Sequence, residues 1–193
     1  MSGVFVDDLP AAATAALRGH GLRLRRMRWW DLPAVLALET TLFGSGAWTA
    51  GMFLSELADW QGRWYVVALT DRGDEGDRLV GYAGLQTYAD EAYVNTVAVD
   101  PACQGQGIGA LLLDLMVRQA QLRGAALIGL EVAAGNVAAQ RLYASRGFES
   151  VSVREGYYES TGEDALVMVK SLAGPGDAVP GGAAPPDSGT MAW

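Results

Sequence analysis

Apolar and polar positions alternate along this chain with two periods, and those periods mark its elements. Leu22-Arg-Leu-Arg25 alternates residue by residue and predicts a strand. Residues 64–69 (WYVVAL) and 79–87 predict two more strands, joined as a hairpin by the polar turn 71–77. Residues 93–99, 127–133 and 165–172 complete the predicted strands. Helical periodicity fills the intervals. Asp31 is placed to cap a helix running to about Glu39, with Pro33 in its first turn. Thr49 is placed to cap a second, ending near Asp59. Ile108, Leu111, Leu112, Leu115 and Val117 share one face of a third, which stops at Arg123-Gly124. Asn136 is placed to cap a short fourth helix that ends before Gly147. The order predicts a mixed α/β fold in which a meander feeds a strand–helix–strand unit.

The two ends lack such patterning. Residues 1–20 form an Ala-rich N-terminal extension, and residues 173–193 are mostly Gly, Pro and Ala. The second composition buries too little surface to offset chain entropy, so it reads as a disordered tail and leaves a domain at 21–172. No apolar run reaches the ~18 residues of a membrane span, and the start lacks the basic-then-apolar order of a signal peptide. One cysteine excludes an internal disulfide and fits a reducing, cytoplasmic setting. With one histidine, His20, and one cysteine, Cys103, neither a Cys/His zinc site nor a His-based triad can be built, and no metal is expected. A net charge of −8 argues against general nucleic-acid binding and favours a cationic substrate.

The chemistry concentrates after the strand at 93–99. Val-Asp-Pro is followed by Ala102-Cys-Gln-Gly-Gln-Gly-Ile-Gly-Ala110, with glycines at every second position, and then by the third helix. A glycine-rich turn opening a helix is an anion site: its amides are unpaired, the helix dipole favours negative charge, and absent side chains admit a phosphate. Turn geometry alone is the plain alternative. No Gly-Lys-Ser/Thr follows, which excludes a Walker A loop. The dinucleotide fingerprint is a rival, since Gly105, Gly107 and Ala110 match its spacing and Glu131 falls where a ribose-binding acid would. Against it, residues 100–104 separate strand from glycine, a hairpin precedes the loop, and too little chain follows Glu131 for a doubly wound sheet.

The remaining pattern is Gln104-x-x-Gly107-x-Gly109, followed in register by Leu130-Glu-Val-Ala-Ala-Gly-Asn136, then Ala139-Gln-Arg-Leu-Tyr143-Ala-Ser-Arg-Gly-Phe148, Arg154-Glu-Gly-Tyr-Tyr158 and Glu163-Asp-Ala-Leu-Val-Met168. This set resembles the GNAT N-acetyltransferases, and most of all the RimI-type ribosomal-protein alanine N-acetyltransferases. The resemblance covers about residues 21–172. It implies a GNAT fold, a twisted, mostly antiparallel mixed sheet flanked by helices, with acetyl-CoA as cosubstrate. It further implies that the strands around Val97–Val99 and Leu130–Val132 splay apart. Backbone at Val97, Ala98 and Val99 would then hold the pantetheine arm. Gln104, Gly105, Gln106, Gly107, Ile108, Gly109 and Ala110 would hold the pyrophosphate, with Asn136 a further contact. Relatives often carry Arg where this chain has Gly105 and Ala110, which leaves more to the backbone amides here.

A protein α-amine has a pKa of ~8, so acyl transfer near neutrality gains from a base, and the departing thiolate gains from an acid. By residue type and family position Glu131 is the base, direct or through water, and Tyr143 the acid. Ile128, Leu130 and Val132 flank Glu131 in sequence, and burial among them would tune the carboxyl toward its task. A solvated or ion-paired Glu and a core aromatic Tyr are the plainer readings. Tyr157 and Tyr158 resemble the aromatic pair that lines the peptide site. Cys103, on an exposed turn without a histidine near it in sequence, reads as a small loop residue rather than a nucleophile. Arg23, Arg25, Arg26 and Arg28 read as the outer face of an edge strand. Trp29, Trp30 and Trp48 are open between core and substrate wall. The resemblance implies acetylation of a protein N terminus, an N-terminal alanine of a small-subunit ribosomal protein, by a cytoplasmic monomer or weak dimer that binds neither nucleic acid nor membrane. A small amine or an internal lysine as acceptor, or an acyl-CoA-binding regulatory domain without catalysis, are the alternatives.

Overall fold

A computed structural model describes residues 21–70, 77–158 and 161–173. The extension 1–20, nearly all of the turn 71–77 and all but the first residue of the tail lie outside the described residues, as do the expectations made for them.

Seven strands make one sheet: β1 (Leu22–Arg26), β2 (Arg63–Thr70), β3 (Arg78–Tyr88), β4 (Glu91–Val99), β5 (Leu127–Ala133), β6 (Glu149–Tyr158) and β7 (Glu163–Ser171). Their order is β1-β2-β3-β4-β5-β7-β6. Every neighbouring pair is antiparallel except β4–β5, as the resemblance implied. That parallel pair needs a crossover, and α3 (Ile108–Leu122) supplies it. The other helices are α1 (Leu32–Phe43), α2 (Ala50–Ala58) and α4 (Val137–Ser145).

The period-two pattern of β2 builds two cores. Trp64, Val66 and Ala68 meet Ile108, Leu112, Leu115 and Met116 of α3 on one face. Tyr65, Val67 and Leu69 meet Val35 and Leu38 of α1 and Phe53 of α2 on the other. Each large apolar side chain closed off in this way stabilises the fold by about 1.5–3 kcal/mol. Trp48 belongs to the second core, whereas Trp29 and Trp30 are exposed.

The caps at Thr49 and Asn136 are present: Thr49 Oγ1 accepts from the Met52 amide at 3.3 Å and Asn136 Oδ1 from the Ala139 amide at 3.1 Å. Asp31 does not cap α1. Its carboxylate instead accepts from the Arg28 amide at 2.8 Å and takes both Arg25 guanidinium nitrogens at 2.6 Å. Helix α1 also continues past Glu39 to Phe43, and within it Thr40 and Thr41 return their hydroxyls to the Leu36 and Ala37 carbonyls, each at 2.8 Å. Strand β1 is an edge strand, with Leu22 and Leu24 inward and Arg23 outward, paired with Asp77. Arg26 lies over the Trp64 ring.

Strand β6 is the element that periodicity missed. It forms the other edge, and its first nine positions are exposed or half-buried, Val151 and Val153 included. A strand with no buried face until Tyr158 leaves no alternation to read.

Candidate active site

The β4–β5 ladder is short. Pairing covers Glu91↔Leu127, Ala92↔Ile128 and Tyr93↔Gly129, and no pair follows. Where it stops, β4 bulges: Gly84 of β3 faces Thr96 and Leu85 faces Val94, so Asn95 is the extra residue. Its side chain is tied down, with Nδ2 donating to Glu56 Oε2 at 2.9 Å and to the Tyr65 hydroxyl at 3.0 Å. Tyr65 in turn donates to Glu56 at 2.8 Å, and Arg63 pairs with the same oxygen at 2.8 Å. This buried network holds the bulge open.

Beyond the bulge the β4 edge is directed. In an antiparallel ladder, successive residues turn their N–H and C=O to opposite sides. Asp100 N–H donates to Val80 O at 2.9 Å, toward β3. Ala98 therefore also faces β3, and Val97 and Val99 present their polar groups to the gap. Gln104 Nε2 reaches Val99 O at 3.2 Å on that open side. Of the three backbone candidates, Val97 and Val99 are available and Ala98 is not.

The glycine loop ends on α3 without a side-chain cap. Gly105 (φ 73°) and Gly107 (φ 82°) hold left-handed backbone that suits glycine, and a Cβ at either would meet nothing within 4 Å. The loop's open side leaves the amides of Ile108, Gly109 and Ala110 without intrahelical partners, the arrangement in which a helix N terminus can receive an anion. Gln106, Gly107, Ile108 and Ala110 line a pocket beside Asp114 and Arg146. Arg146, at the end of α4, lies 3.3 Å from Asp114. It brings a cation to the place where Gly105 and Ala110 supply none, and its position before Gly147-Phe148 carried no signal of this. Cys103 sits in a short 3-10 turn, half-buried and packed against the core rather than exposed.

Glu131 is 2% exposed, but its company is not the one expected. Ile128, Leu130 and Val132 project into the α3-side core, since neighbours along a strand alternate faces. Glu131 projects to the other face, where Arg154 Nη1 of β6 stands 2.5 Å from Oε1. The Arg154 guanidinium also lies 4.6 Å over the Tyr157 ring. Oε2 is buried and makes no hydrogen bond among the described residues. Burial and then Glu131, through a hydrogen bond and its charge, push the Tyr157 phenol up. Burial and the Glu91 carboxylate, with a smaller effect of Glu131, push up Tyr93. Tyr93 fits because Gly129 has no side chain: a Cβ there would lie 3.2 Å from the ring. Tyr157 and Tyr158 end β6 itself; Tyr158 is buried and packs edge-on against Tyr157 at 5.2 Å.

Tyr143 is 1% exposed and packs against Phe148 in the α3-side core. Burial pushes its phenol up, which keeps the proton in place. Tyr158 links the two candidates: burial raises it first, followed by the charges of Glu131, Glu163 and Tyr143. Asn136 is engaged as the α4 cap, and Gln140 of the same helix ties Ala133 O and Ala134 O at 3.0 and 2.8 Å. Arg154 and Tyr93 were missed as site residues. Arg154 stood in the Arg-Glu-Gly-Tyr-Tyr motif but carried no partner in sequence.

Comparison with known proteins decides the family. The model of the acetyltransferase (GNAT) family matches residues 24–148. The chain belongs to the GNAT family. It is 37% identical over 145 residues to the [ribosomal protein bS18]-alanine N-acetyltransferase of Escherichia coli K12, covering 74% of this chain and 93% of that one. It is 35% identical over 145 residues to the Salmonella typhimurium protein of the same name, with the same shares of each covered. The crystal structure of the ribosomal-protein-S18-alanine N-acetyltransferase from E. coli superposes with a TM-score of 0.69 at 31% identity, over 82% of this chain and 98% of that one. This GNAT protein is an acetyl-CoA-dependent N-acetyltransferase. The uncapped α3 and the open β4 edge fit that cosubstrate. Among the described residues no helix is long and apolar enough to cross a membrane.

Proposed function

We propose that this chain acetylates the α-amine of a protein N terminus, the N-terminal alanine of a ribosomal protein of the bS18 kind. The observation that carries the reading is the buried carboxylate Glu131 beside the β4–β5 gap, walled by Tyr93, Tyr157 and Tyr158. The names of the relatives at 35–37% identity support the acceptor.

Val97 and Val99 present backbone for the pantetheine arm, the amides from Gly105 to Ala110 hold the pyrophosphate, and Arg146 supplies a cation beside them. Acetyl-CoA supplies the activated acetyl group as a thioester. Glu131 takes one proton from the incoming ammonium and frees the nitrogen lone pair. As the N–C bond forms and the C–S bond breaks, Tyr143 gives its proton to sulfur and regains one as the nitrogen loses its second. Burial of both side chains keeps the two proton carriers out of bulk water.

The test is acetyl-CoA turnover with a panel of N-terminal peptides, Ala-initiated ones included, beside free polyamines and aminoglycosides. Preference for Ala-initiated peptides is expected. Turnover confined to the small amines would overturn the acceptor.

A further inference from the structure

Glu131 as a base raises a physical conflict. The Arg154 guanidinium stands 2.5 Å from Oε1, so the charge and the lone pair that a substrate ammonium needs are already engaged. Its side chain is 3% exposed while that of Arg154 is 35% exposed, so Arg154 stands between the carboxylate and solvent. Removing Arg154 with nothing in its place would strand a buried charge, which is strongly unfavourable. A substrate α-ammonium is itself a cation, and exchange of one cation for another keeps the site neutral throughout.

The structure offers Arg154 somewhere to go. Its guanidinium already lies over the Tyr157 ring, a contact that holds a cation without a carboxylate. It stands on an edge strand next to a break in the β6–β7 register, where Arg154 faces Ala165 and the next pair is Tyr158↔Glu163. Inside that break Gly156 has φ 59° and donates its amide to Asp164 Oδ1 at 2.8 Å. The backbone there is anchored independently of the Arg154 side chain.

From this geometry we propose that Arg154 is a displaceable counter-cation: it neutralises Glu131 while no amine is bound and gives up its place to the α-ammonium of the substrate. The inference rests on the reading of Glu131 as base. It makes Arg154 a positioning residue with a sorting role. A charged amine can take the seat. The acetylated product is neutral and cannot, so once Glu131 has passed its proton to solvent the return of Arg154 to the carboxylate favours release. The remaining groups around the seat are phenols or lie a step further out. Tyr93 comes from β4, carrying Glu91; Tyr157 and Tyr158 come from β6; Glu163 of β7 and Tyr143 of α4 act on Tyr158. Arg154 is thus the cation paired with Glu131.

The experiment compares full-length wild type, Arg154→Gln and Arg154→Lys. The pH profile of kcat/KM is recorded with whichever amine of the panel is turned over. Carbon-13 titration of the glutamate carboxyls in the cosubstrate-free protein is the second readout. Loss of the cation is expected to move the acidic limb of Arg154→Gln upward by about 1–3 pH units, and the Glu131 carboxyl resonance with it. Arg154→Lys should return both toward wild type, which a purely structural defect would not do. An acidic limb and a carboxyl titration unchanged in Arg154→Gln would overturn the counter-cation. If Arg154→Gln does not fold, a limb in Arg154→Lys identical to wild type but with peptide KM raised and kcat kept supports the exchange, and an unchanged KM overturns it. A wild type that acts only on small amines overturns the proposed acceptor while the limb still tests Arg154; a wild type idle on every amine overturns both.

Discussion

Two regions of this molecule each bury a carboxylate, Glu39 on α1 and Glu131 on β5, and each side chain is about equally sealed. In both, Oε1 has a donor and Oε2 has no hydrogen bond among the described residues. The donors differ in kind. Glu39 takes the backbone amide of Trp48 at 3.0 Å, and burial, only partly opposed by that amide, pushes the carboxyl up to about 7. Glu131 takes the half-buried Arg154 guanidinium beside an open strand edge. Glu39 is surrounded by the core of α1, α2 and Trp48, whose position it fixes. A buried carboxyl tuned to neutrality therefore does not by itself mark a base. On the proposed mechanism, what separates the two regions is reach to the reacting atoms and a partner that a substrate can replace.

The sharpest way to break this contrast is Glu131→Gln. The amide keeps the shape but cannot accept the proton, so turnover should fall by about 10²–10⁴-fold with acetyl-CoA affinity kept. The deficit should narrow at high pH, where more of the amine is neutral without help. A pH–rate profile with saturating peptide measures it, and wild-type turnover across the range would remove Glu131 from the chemistry. Tyr143→Phe should follow, at roughly 10²-fold, since the thiolate loses its donor. The double variant should lose less than the product of the two, because both groups act on one transition state.

Much of the glycine loop's geometry was legible because it is local. The stretch Gln104–Ala110 is contiguous, its left-handed glycines are a property of the residue type, and the helix behind it is strongly periodic. The acceptor side was not. Glu131 and Arg154 are 23 positions apart, and the strand that carries Arg154 has two exposed faces. The flanking residues of Glu131 misled for a related reason: sequence neighbours on a strand look the other way. The Asn95 bulge was equally invisible, since its partners Glu56 and Tyr65 lie on α2 and β2.

A third expected effect tests the backbone-built half. Gly107→Val places a β-branched residue at φ 82°, where side chains cost about 1–2 kcal/mol, and puts methyls where a phosphate would lie. Apart from its chain neighbours, none of the described residues is within 4 Å of that Cβ, so the fold should survive. Acetyl-CoA binding by calorimetry should weaken about tenfold or more, in keeping with the strain alone. Affinity equal to wild type would mean that the cradle lies elsewhere.

The smallest effect on turnover, and the most direct check of the opening contrast, belongs to Glu39→Gln. The side chain touches no candidate substrate or cosubstrate residue, so acetyl transfer should be unchanged. Stability should respond instead, with a definite sign. The carboxyl holds its proton up to about pH 7 in the fold against 4.5 for the ordinary group. Between those values the folded state binds more protons than the unfolded one, so stability must fall as pH rises through this window. The contribution is fully present below pH 4.5 and gone above about 7, where the fold carries an ionised buried carboxylate. Glutamine preserves an oxygen for the Trp48 amide and never ionises. The difference in unfolding free energy, variant minus wild type, should therefore climb between pH 5 and pH 8 and then level off, by an amount on the order of 1–3 kcal/mol, and the melting temperature should follow it. A difference that stays flat across that range would show that Glu39 does not titrate there. A loss of turnover in a folded Glu39→Gln protein would collapse the distinction between the two carboxylates, because it would place both in the reaction.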